Sequence, residues 1–198
     1  FAFSSIGQLG MVLVAFSIPG EAGMIAGVAM MFHHLIVKPG LFIFTEQWHG
    51  NLDQLSGIAK KSPWAVALFL LFALSLIGIP PFPGFWAKLL LVTGLTGAGS
   101  ALYTTALIVL LSATVIETHY LMRVVKIMIA GEARPTRYMD QGLFNMTIIS
   151  ILAGILILIV LNLSPVGEQI GLIAAESAHR LQYIGTSYPE IINSLSGQ

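Results

Sequence analysis

The chain alternates long apolar runs with short polar segments. A helix needs roughly 20 apolar residues to cross the hydrocarbon core of a bilayer, which is about 30 Å thick. Runs near that length predict five membrane-spanning helices, at about residues 3–18, 22–44, 64–95, 101–129 and 143–163. Residues 164–198 are more polar, and within them 166–183 mix Leu and Ile with charged side chains, which is typical of a helix lying on the membrane surface. We therefore predict an all-α transmembrane bundle over 1–163, followed by an amphipathic tail.

The composition is that of an integral membrane protein. Hydrophobic residues make up 56% of the 198 and charged residues 9%, with a mean hydropathy of +0.87, whereas a soluble domain carries about 25% charged residues. Nine Lys and Arg balance nine Asp and Glu, so the chain offers no basic field for nucleic acid. The absence of Cys excludes thiolate metal sites, disulfides and Cys nucleophiles. The partner that composition predicts is the lipid bilayer.

The start of the chain suggests a fragment. It opens on Phe1 rather than Met and has no basic segment ahead of its first apolar run, so we expect no signal peptide. We expect the chain to begin inside a longer protein.

The third apolar run contains a break. Residues 64–95 would extend about 48 Å as one helix, which is too long for a straight crossing. The segment PPFPG at 80–84, with Pro80, Pro81, Pro83 and Gly84, cannot continue a helix. The run is either two short crossings or one broken crossing.

The distribution of basic residues favours one broken crossing. With five crossings, one face of the membrane receives six basic side chains: Lys60, Lys61, Arg123, Lys126, Arg134 and Arg137. The turns on the other face receive none. Because basic loops stay inside, the six-charge face is predicted to be cytoplasmic and the C-terminus extracytoplasmic. Since irregular backbone at membrane depth must be covered by protein or water, we expect the break to face the bundle interior.

Ionisable side chains inside the predicted spans are the candidate functional residues. A charge near the bilayer centre costs at least about 2.5–3.5 kcal/mol. Lys88 follows the break by four residues, and Lys38 lies one turn after His34 on the same helical face. A buried amine can load and release a proton when its surroundings change, and an imidazole can pass a proton at neutral pH. Ser and Thr hydroxyls and amides could order water between these groups, and they include Ser4, Ser5, Gln8, Ser75, Thr93, Thr104 and Thr105.

Each candidate also has a structural interpretation. Lys38 could extend its stem to the cytoplasmic interface, whereas Lys88 would have to span most of a leaflet to do so. His33 is either a packed, hydrogen-bonded histidine or a secondary proton relay. Glu117 and His119, near the cytoplasmic end of the fourth span, form either an interfacial charge cluster with Arg123 or an uptake point for protons.

Three segments resemble one known family. FAFSSIGQLG resembles its AYSSISQ-G helix, and HHLIVKPGLFIF resembles its H-x-x-x-K-A-L-L-F segment. ALSLIGIPPFPGFWAKLLL resembles L-S-L-A-G-I-P-P-x-x-G-F-x-x-K, the most specific of the three. Together they cover about residues 1–91 in the expected order. The family comprises the antiporter-like subunits of respiratory complex I, of Mrp-type cation/proton antiporters and of membrane-bound hydrogenases.

The resemblance implies a fold and a position within it. Members have about fourteen helices, built as two inverted five-helix repeats plus extra helices, and this chain matches the second repeat at about the tenth to fourteenth helix. About nine helices would precede Phe1. Lys88 matches the family's lysine of the broken helix, near the outward exit path, Lys38 the lysine of the preceding helix, and His34 the histidine one turn before it. Met30 stands where members often carry another histidine, so a histidine relay would need His33.

The implied function is translocation of protons, or in some members sodium. A redox reaction in a partner arm, or ion exchange, would drive it. The expected partners are other membrane subunits of a multisubunit complex, including a redox-active peripheral arm. The expected location is a prokaryotic cytoplasmic membrane or its organellar equivalent. We find no motif for a nucleotide, flavin, metal cluster or quinone, so we expect no cofactor, no metal and no redox active site in this chain. The alternatives are a non-conducting structural subunit and part of a stand-alone cation/proton antiporter.

Overall fold

The structure is a computed structural model that describes residues 2–47, 52–130 and 143–187. Within these ranges the chain forms helices and no strand, which confirms the all-α prediction. The α-helices are α1 (Ala2–Ser17), α2 (Glu21–Gln47), α3 (Pro63–Ile77), α4 (Pro83–Gly97), α5 (Ala101–Ile129), α6 (Leu143–Leu161) and α7 (Leu163–Ser187). Two short 3-10 helices, Leu52–Leu55 and Ile58–Lys60, connect α2 to α3. Arg134, Arg137 and the last part of the predicted tail, 188–198, lie outside the described residues.

Helix α2 is the central element of the bundle and packs against α1, α3, α4, α6 and α7. It runs without interruption through Pro39 for 27 residues, or about 40 Å. Glu21–Glu46 and Ala101–Ile129 are each long and apolar enough to cross a membrane alone. Helices α6 and α7 meet this criterion of length and composition only when they are taken together, and they are bent by 92° where they join.

The predicted break separates two helices of 15 residues each, α3 and α4. Each is about 22 Å long and too short to cross alone. Helix α3 ends at Gly78, whose φ of 87° lies in the left-handed region that favours glycine. Helix α4 begins at Pro83, a position where the missing N–H costs no hydrogen bond. The irregular segment is therefore 78–82 rather than the predicted 80–84, and Pro83 and Gly84 belong to the first turn of α4.

The ends of the helices fall into two groups. At one end, the Gly57 N–H donates to the Ile127 carbonyl at 3.3 Å and Ser56 Oγ to the Ala130 carbonyl at 3.2 Å, which ties the α2–α3 connection to the end of α5. At the other end, the Tyr103 hydroxyl donates to the Ser17 carbonyl at 2.7 Å, which ties the start of α5 to the end of α1. Helices α3 and α4 together therefore cross the bundle once, as the single broken crossing requires.

Two apolar clusters flank the middle of the bundle. One joins the second half of α2 with α3, α5 and α6 and includes Leu41, Phe72 and Leu121. The other joins α1, the first half of α2 and α4 and includes Met30 and Leu91. The outer faces of α1 and α5 expose large apolar side chains such as Leu13, Leu102 and Ile108. The buried polar side chains lie where the two clusters adjoin.

Replacing Gly78 by Ala tests the end of α3. The left-handed conformation costs about 1–2 kcal/mol for an L-residue, and the added Cβ would lie 3.0 Å from Lys88 Cδ. We expect Gly78→Ala to lower the free energy of unfolding by about that amount in the intact protein, measured by denaturation in detergent. Gly97→Ala is the matched control, because Gly97 is helical and its Cβ would meet nothing within 4 Å. Equal effects of the two variants would contradict this account.

Candidate functional site

Lys88 binds the end of α3 across the break. It is 8% exposed, and its Nζ donates to the carbonyls of Leu76 at 2.9 Å and Ile77 at 3.0 Å. These are among the last carbonyls of α3, which have no partner within the helix because it ends there. A cation at a helix C-terminus also interacts favourably with the helix dipole. The break thus supplies two of the acceptors that hold Lys88 at membrane depth.

Glu117 of α5 supplies the third acceptor. Its Oε2 lies 3.4 Å from Lys88 Nζ and also accepts from Gln8 Nε2 at 2.9 Å. Its Oε1 accepts from Ser4 Oγ at 2.7 Å. Glu117 is 6% exposed, and its carboxylate is the one that is buried among the side chains whose exposure the structure describes. Helices α1, α4 and α5 therefore meet at this carboxylate.

The structure separates Glu117 from the other members of the predicted charge cluster. His119 and Arg123 lie on the exposed side of α5, whereas Glu117 and Leu121 share its buried side. The reason is the helical period, which rotates position 119 about 200° away from position 117. Glu117 faces the interior of the bundle, and His119 lies on the opposite, exposed side of α5.

Lys38 reaches the same carboxylate through a hydroxyl. It is 3% exposed, and its Nζ donates to Ser4 Oγ at 2.6 Å. The side chain ends on α1 inside the bundle rather than at the cytoplasmic interface. We call Lys38, Ser4, Glu117 and Lys88 the buried polar chain. Its direct contacts were not predicted, since the sequence suggested only that Ser4 and Gln8 could order water.

The two histidines differ in their surroundings. His33 is buried, and its Nε2 lies 3.1 Å from Ser75 Oγ near the end of α3. His34 is half-buried, and its buried Nδ1 has no hydrogen-bond partner in the described part of the chain. His34 shares its helical face with Lys38, whereas His33 faces the break. No group of three or more His, Cys, Asp or Glu within the described ranges could hold a metal ion.

Gly84 lets α4 start directly against α3. A Cβ at this position would collide with the Ser75 carbonyl oxygen and would lie 2.7 Å from His33 Nε2. Any larger residue would push the two half-helices apart. Gly84 thus acts through close packing, whereas the sequence predicted that it helps to break the helix.

One cavity adjoins the buried polar chain, and a second lies beside His33. The first, of about 320 Å³, lies between α1 and α5 and is lined by Ser4, Gln8, Glu117 and Tyr120 together with apolar side chains. Gln8 Oε1 is buried and has no hydrogen-bond partner among the described residues. Most of the lining is apolar, but its carboxylate, amide and hydroxyls can bind water, and a space of this size has room for several water molecules. The other, of about 440 Å³, lies between α2, α4, α6 and α7 beside His33, and its lining is almost wholly apolar.

A bundle of apolar helices, one of them interrupted beside an internal ion pair, defines a polytopic membrane protein with a charged interior. Residues 1–117 match the family described as NADH:quinone oxidoreductase/Mrp antiporter, transmembrane region. The chain belongs to this family, which confirms the resemblance of the three sequence segments.

Relatives of the chain carry two kinds of name. NADH-quinone oxidoreductase subunit N of Desulforudis audaxviator is 32% identical over 130 residues, which are 63% of this chain and 25% of that protein. The protein of the same name from Paramagnetospirillum magneticum is 30% identical over 79% of this chain and 33% of its own length. A Na(+)/H(+) antiporter subunit of Alkalihalophilus pseudofirmus is 32% identical over 46% of this chain and 20% of its own length. The chain thus spans a third or less of the length of these relatives.

Solved structures support the fold. The Mrp complex of Dietzia sp. DQ12-45-1b contains a chain that matches 92% of this chain and 43% of its own length, with a TM-score of 0.81 and 25% identity. A chain of respiratory complex I from Thermus thermophilus matches 78% of this chain and 35% of its own length, with a TM-score of 0.54 and 18% identity. Both matches confirm the antiporter-like helical fold.

A double-mutant cycle tests the ion pair. Removing one partner of a buried pair leaves an uncompensated charge and costs about 3–5 kcal/mol. We expect Glu117→Gln to destabilise the intact protein on that scale, and Lys88→Met to relieve most of the loss when combined with it. The free energy of unfolding in detergent is the measurement, and Glu21→Gln, at an exposed carboxylate, is the control. Strictly additive effects would show that the two side chains do not interact.

Proposed function

We propose that this chain carries protons across the membrane as part of a larger ion-translocating complex, with Lys88 as the main switchable site. The observation that supports this is the ion pair between Lys88 and Glu117 beside the break. Charged groups at membrane depth are costly and generally mark an ion pathway. A purely structural bundle could fill the same space with apolar side chains at no such cost.

The geometry lets Lys88 respond to its neighbours. Its ammonium is held partly by backbone carbonyls and partly by one carboxylate at 3.4 Å, a distance long for a charge-assisted hydrogen bond. Protonation of Glu117, or a movement of α4 relative to α3, would remove part of that stabilisation and favour release of the lysine proton. Water in the cavity between α1 and α5 would connect the carboxylate to the rest of the membrane domain.

Lys38 and His34 form the part of the proposed path that lies on α2. Lys38 is linked to Glu117 through Ser4. His34 lies one turn from Lys38, and its Nδ1 has no hydrogen-bond partner among the described residues. A histidine can accept and pass on a proton at neutral pH. His33, hydrogen-bonded to Ser75 beside the break, is a secondary member of the path.

The driving force would come from outside this chain. Relatives are named as subunits of NADH-quinone oxidoreductase, so we propose that membrane subunits and a redox-active peripheral arm accompany it, with redox cofactors held by those partners. An alternative is ion exchange without redox chemistry, which the relative named as a Na(+)/H(+) antiporter subunit and the Mrp match favour. Proton uptake by vesicles that depends on a sodium gradient and not on an electron donor would identify the exchanger.

Replacing Lys88 tests the proposed function. Lys88→Ala removes the switchable amine, so we expect coupled proton translocation by the intact complex in vesicles to fall to background while the complex still assembles. Lys126→Ala is the control, because Lys126 is exposed on α5. Translocation at the wild-type rate in assembled Lys88→Ala complex would rule the proposal out.

The proposed orientation places the α2–α3 connection in the cytoplasm and the α4–α5 turn outside. Basic residues collect at the first of these ends, and Lys60, Lys61, Arg123 and Lys126 are all exposed there. With α1 to α5 ordered in this way, α6 ends outside and α7 begins there.

Cysteine labelling tests the orientation, because the chain has no Cys of its own. We expect a membrane-impermeant thiol reagent to label Ala101→Cys in right-side-out vesicles and Lys60→Cys only in inverted ones. The opposite pattern would reverse the orientation and with it the direction assigned to the pathway.

A further inference from the structure

We infer that Ser4 is a proton relay between Lys38 and Glu117, so that one carboxylate serves two lysines in turn. This inference rests on the proposed function and assigns the connection between its two amines. Ser4 lies in the first turn of α1, on the helix that packs against both α2 and α5. Its hydroxyl is the side-chain link that joins Lys38 to Glu117 in the described part of the chain.

The hydrogen bonds already have the direction that a relay needs. Lys38 Nζ donates to Ser4 Oγ at 2.6 Å, and Ser4 Oγ donates to Glu117 Oε1 at 2.7 Å. A hydroxyl is one donor and two acceptors, so it can receive one proton while it gives up another. Both distances are short, as expected for hydrogen bonds to charged groups.

The step balances without any further reactant. An N–H bond of the Lys38 ammonium breaks and an O–H bond to Ser4 forms, while the original O–H bond of Ser4 breaks and an O–H bond to Glu117 forms. The products are a neutral amine, a neutral carboxylic acid and an intact serine whose hydrogen bond to Lys38 is reversed. The total charge of the three groups is unchanged.

Protonation of Glu117 changes the stability of the charged form of Lys88. Once Glu117 is protonated, the Lys88 ammonium keeps its two backbone carbonyls but loses its ionised partner. In a low-dielectric interior this loss strongly disfavours the charged form of the lysine. Gln8 donates to Glu117 Oε2 at 2.9 Å and so positions the oxygen that faces Lys88. A proton leaving Lys38 thereby promotes release of a proton from Lys88.

An isosteric pair at position 4 tests the hydroxyl directly. Thr and Val have nearly the same shape, and the 320 Å³ cavity that Ser4 lines has room for the added methyl groups. We expect Ser4→Val to slow coupled translocation by the intact complex by roughly 10²-fold or more, and Ser4→Thr to stay near the wild-type rate. Ser112→Ala is the control, since Ser112 is exposed and its hydroxyl bonds to the Ile108 carbonyl of its own helix.

Infrared spectroscopy of the same variants separates a relay from a structural role. The carboxylic-acid band of Glu117, identified by its loss in Glu117→Gln, should appear on energisation in wild-type and Ser4→Thr complexes and be missing in Ser4→Val. If Ser4→Val does not assemble, Ser4→Ala removes the same hydroxyl without adding volume.

The outcomes distinguish the relay from the proposed function. Translocation at the wild-type rate in the Ser4→Val or Ser4→Ala complex would overturn the relay. An equal loss of translocation in assembled Ser4→Thr and Ser4→Val complexes would also overturn it. If Lys88→Ala is inactive and Ser4→Val is fully active, the proposed function stands and only the relay fails. If Lys88→Ala itself is fully active, the proposed function fails.

Discussion

The structure depends on a cation that is held inside an apolar bundle by partners from two other helices. Lys88 would be intolerable there alone, because an unpaired charge in hydrocarbon costs several kcal/mol. It is tolerated because α3 ends early and presents the carbonyls of Leu76 and Ile77, and because Glu117 of α5 lies opposite. These contacts join α4 to α3 and to α5, and Ser4 and Gln8 connect α1 to the same carboxylate.

The residues of the break have separate tasks. Gly78 ends α3 in a left-handed conformation, which leaves carbonyls available to Lys88. Pro83 starts α4 where no N–H is needed, and Gly84 removes the side chain that would keep α4 away from Ser75 and His33. Prolines alone would interrupt the helix, but they would not bring the amine of one half onto the end of the other.

The sequence was sufficient to predict the features of the structure that depend on hydropathy and on the positions of proline. It predicted the apolar helices, the single broken crossing and the burial of Lys38 and Lys88, because apolar length and helix-breaking residues are local properties. It did not predict the inward position of Glu117, since a glutamate beside His119 and Arg123 near a helix end looks like part of a surface cluster. It also missed the contacts of Ser4 and Gln8 with that carboxylate, which depend on how α1 and α5 rotate against each other. One signal in the sequence was the spacing of four between Glu117 and the apolar Leu121, which places the two residues on one face of the helix.

The two cavities differ in the polar groups that line them, so the two flanks of the bundle differ in polarity. The space between α1 and α5 is bordered by a carboxylate, an amide and hydroxyls, so it can be wet. The space between α2, α4, α6 and α7 is walled mainly by carbon, and apolar cavities of this kind stay dry or take up hydrocarbon. A charge leaving the interior on the His33 side would meet few polar groups to replace its hydration, whereas the α1–α5 side offers a carboxylate, an amide and hydroxyls.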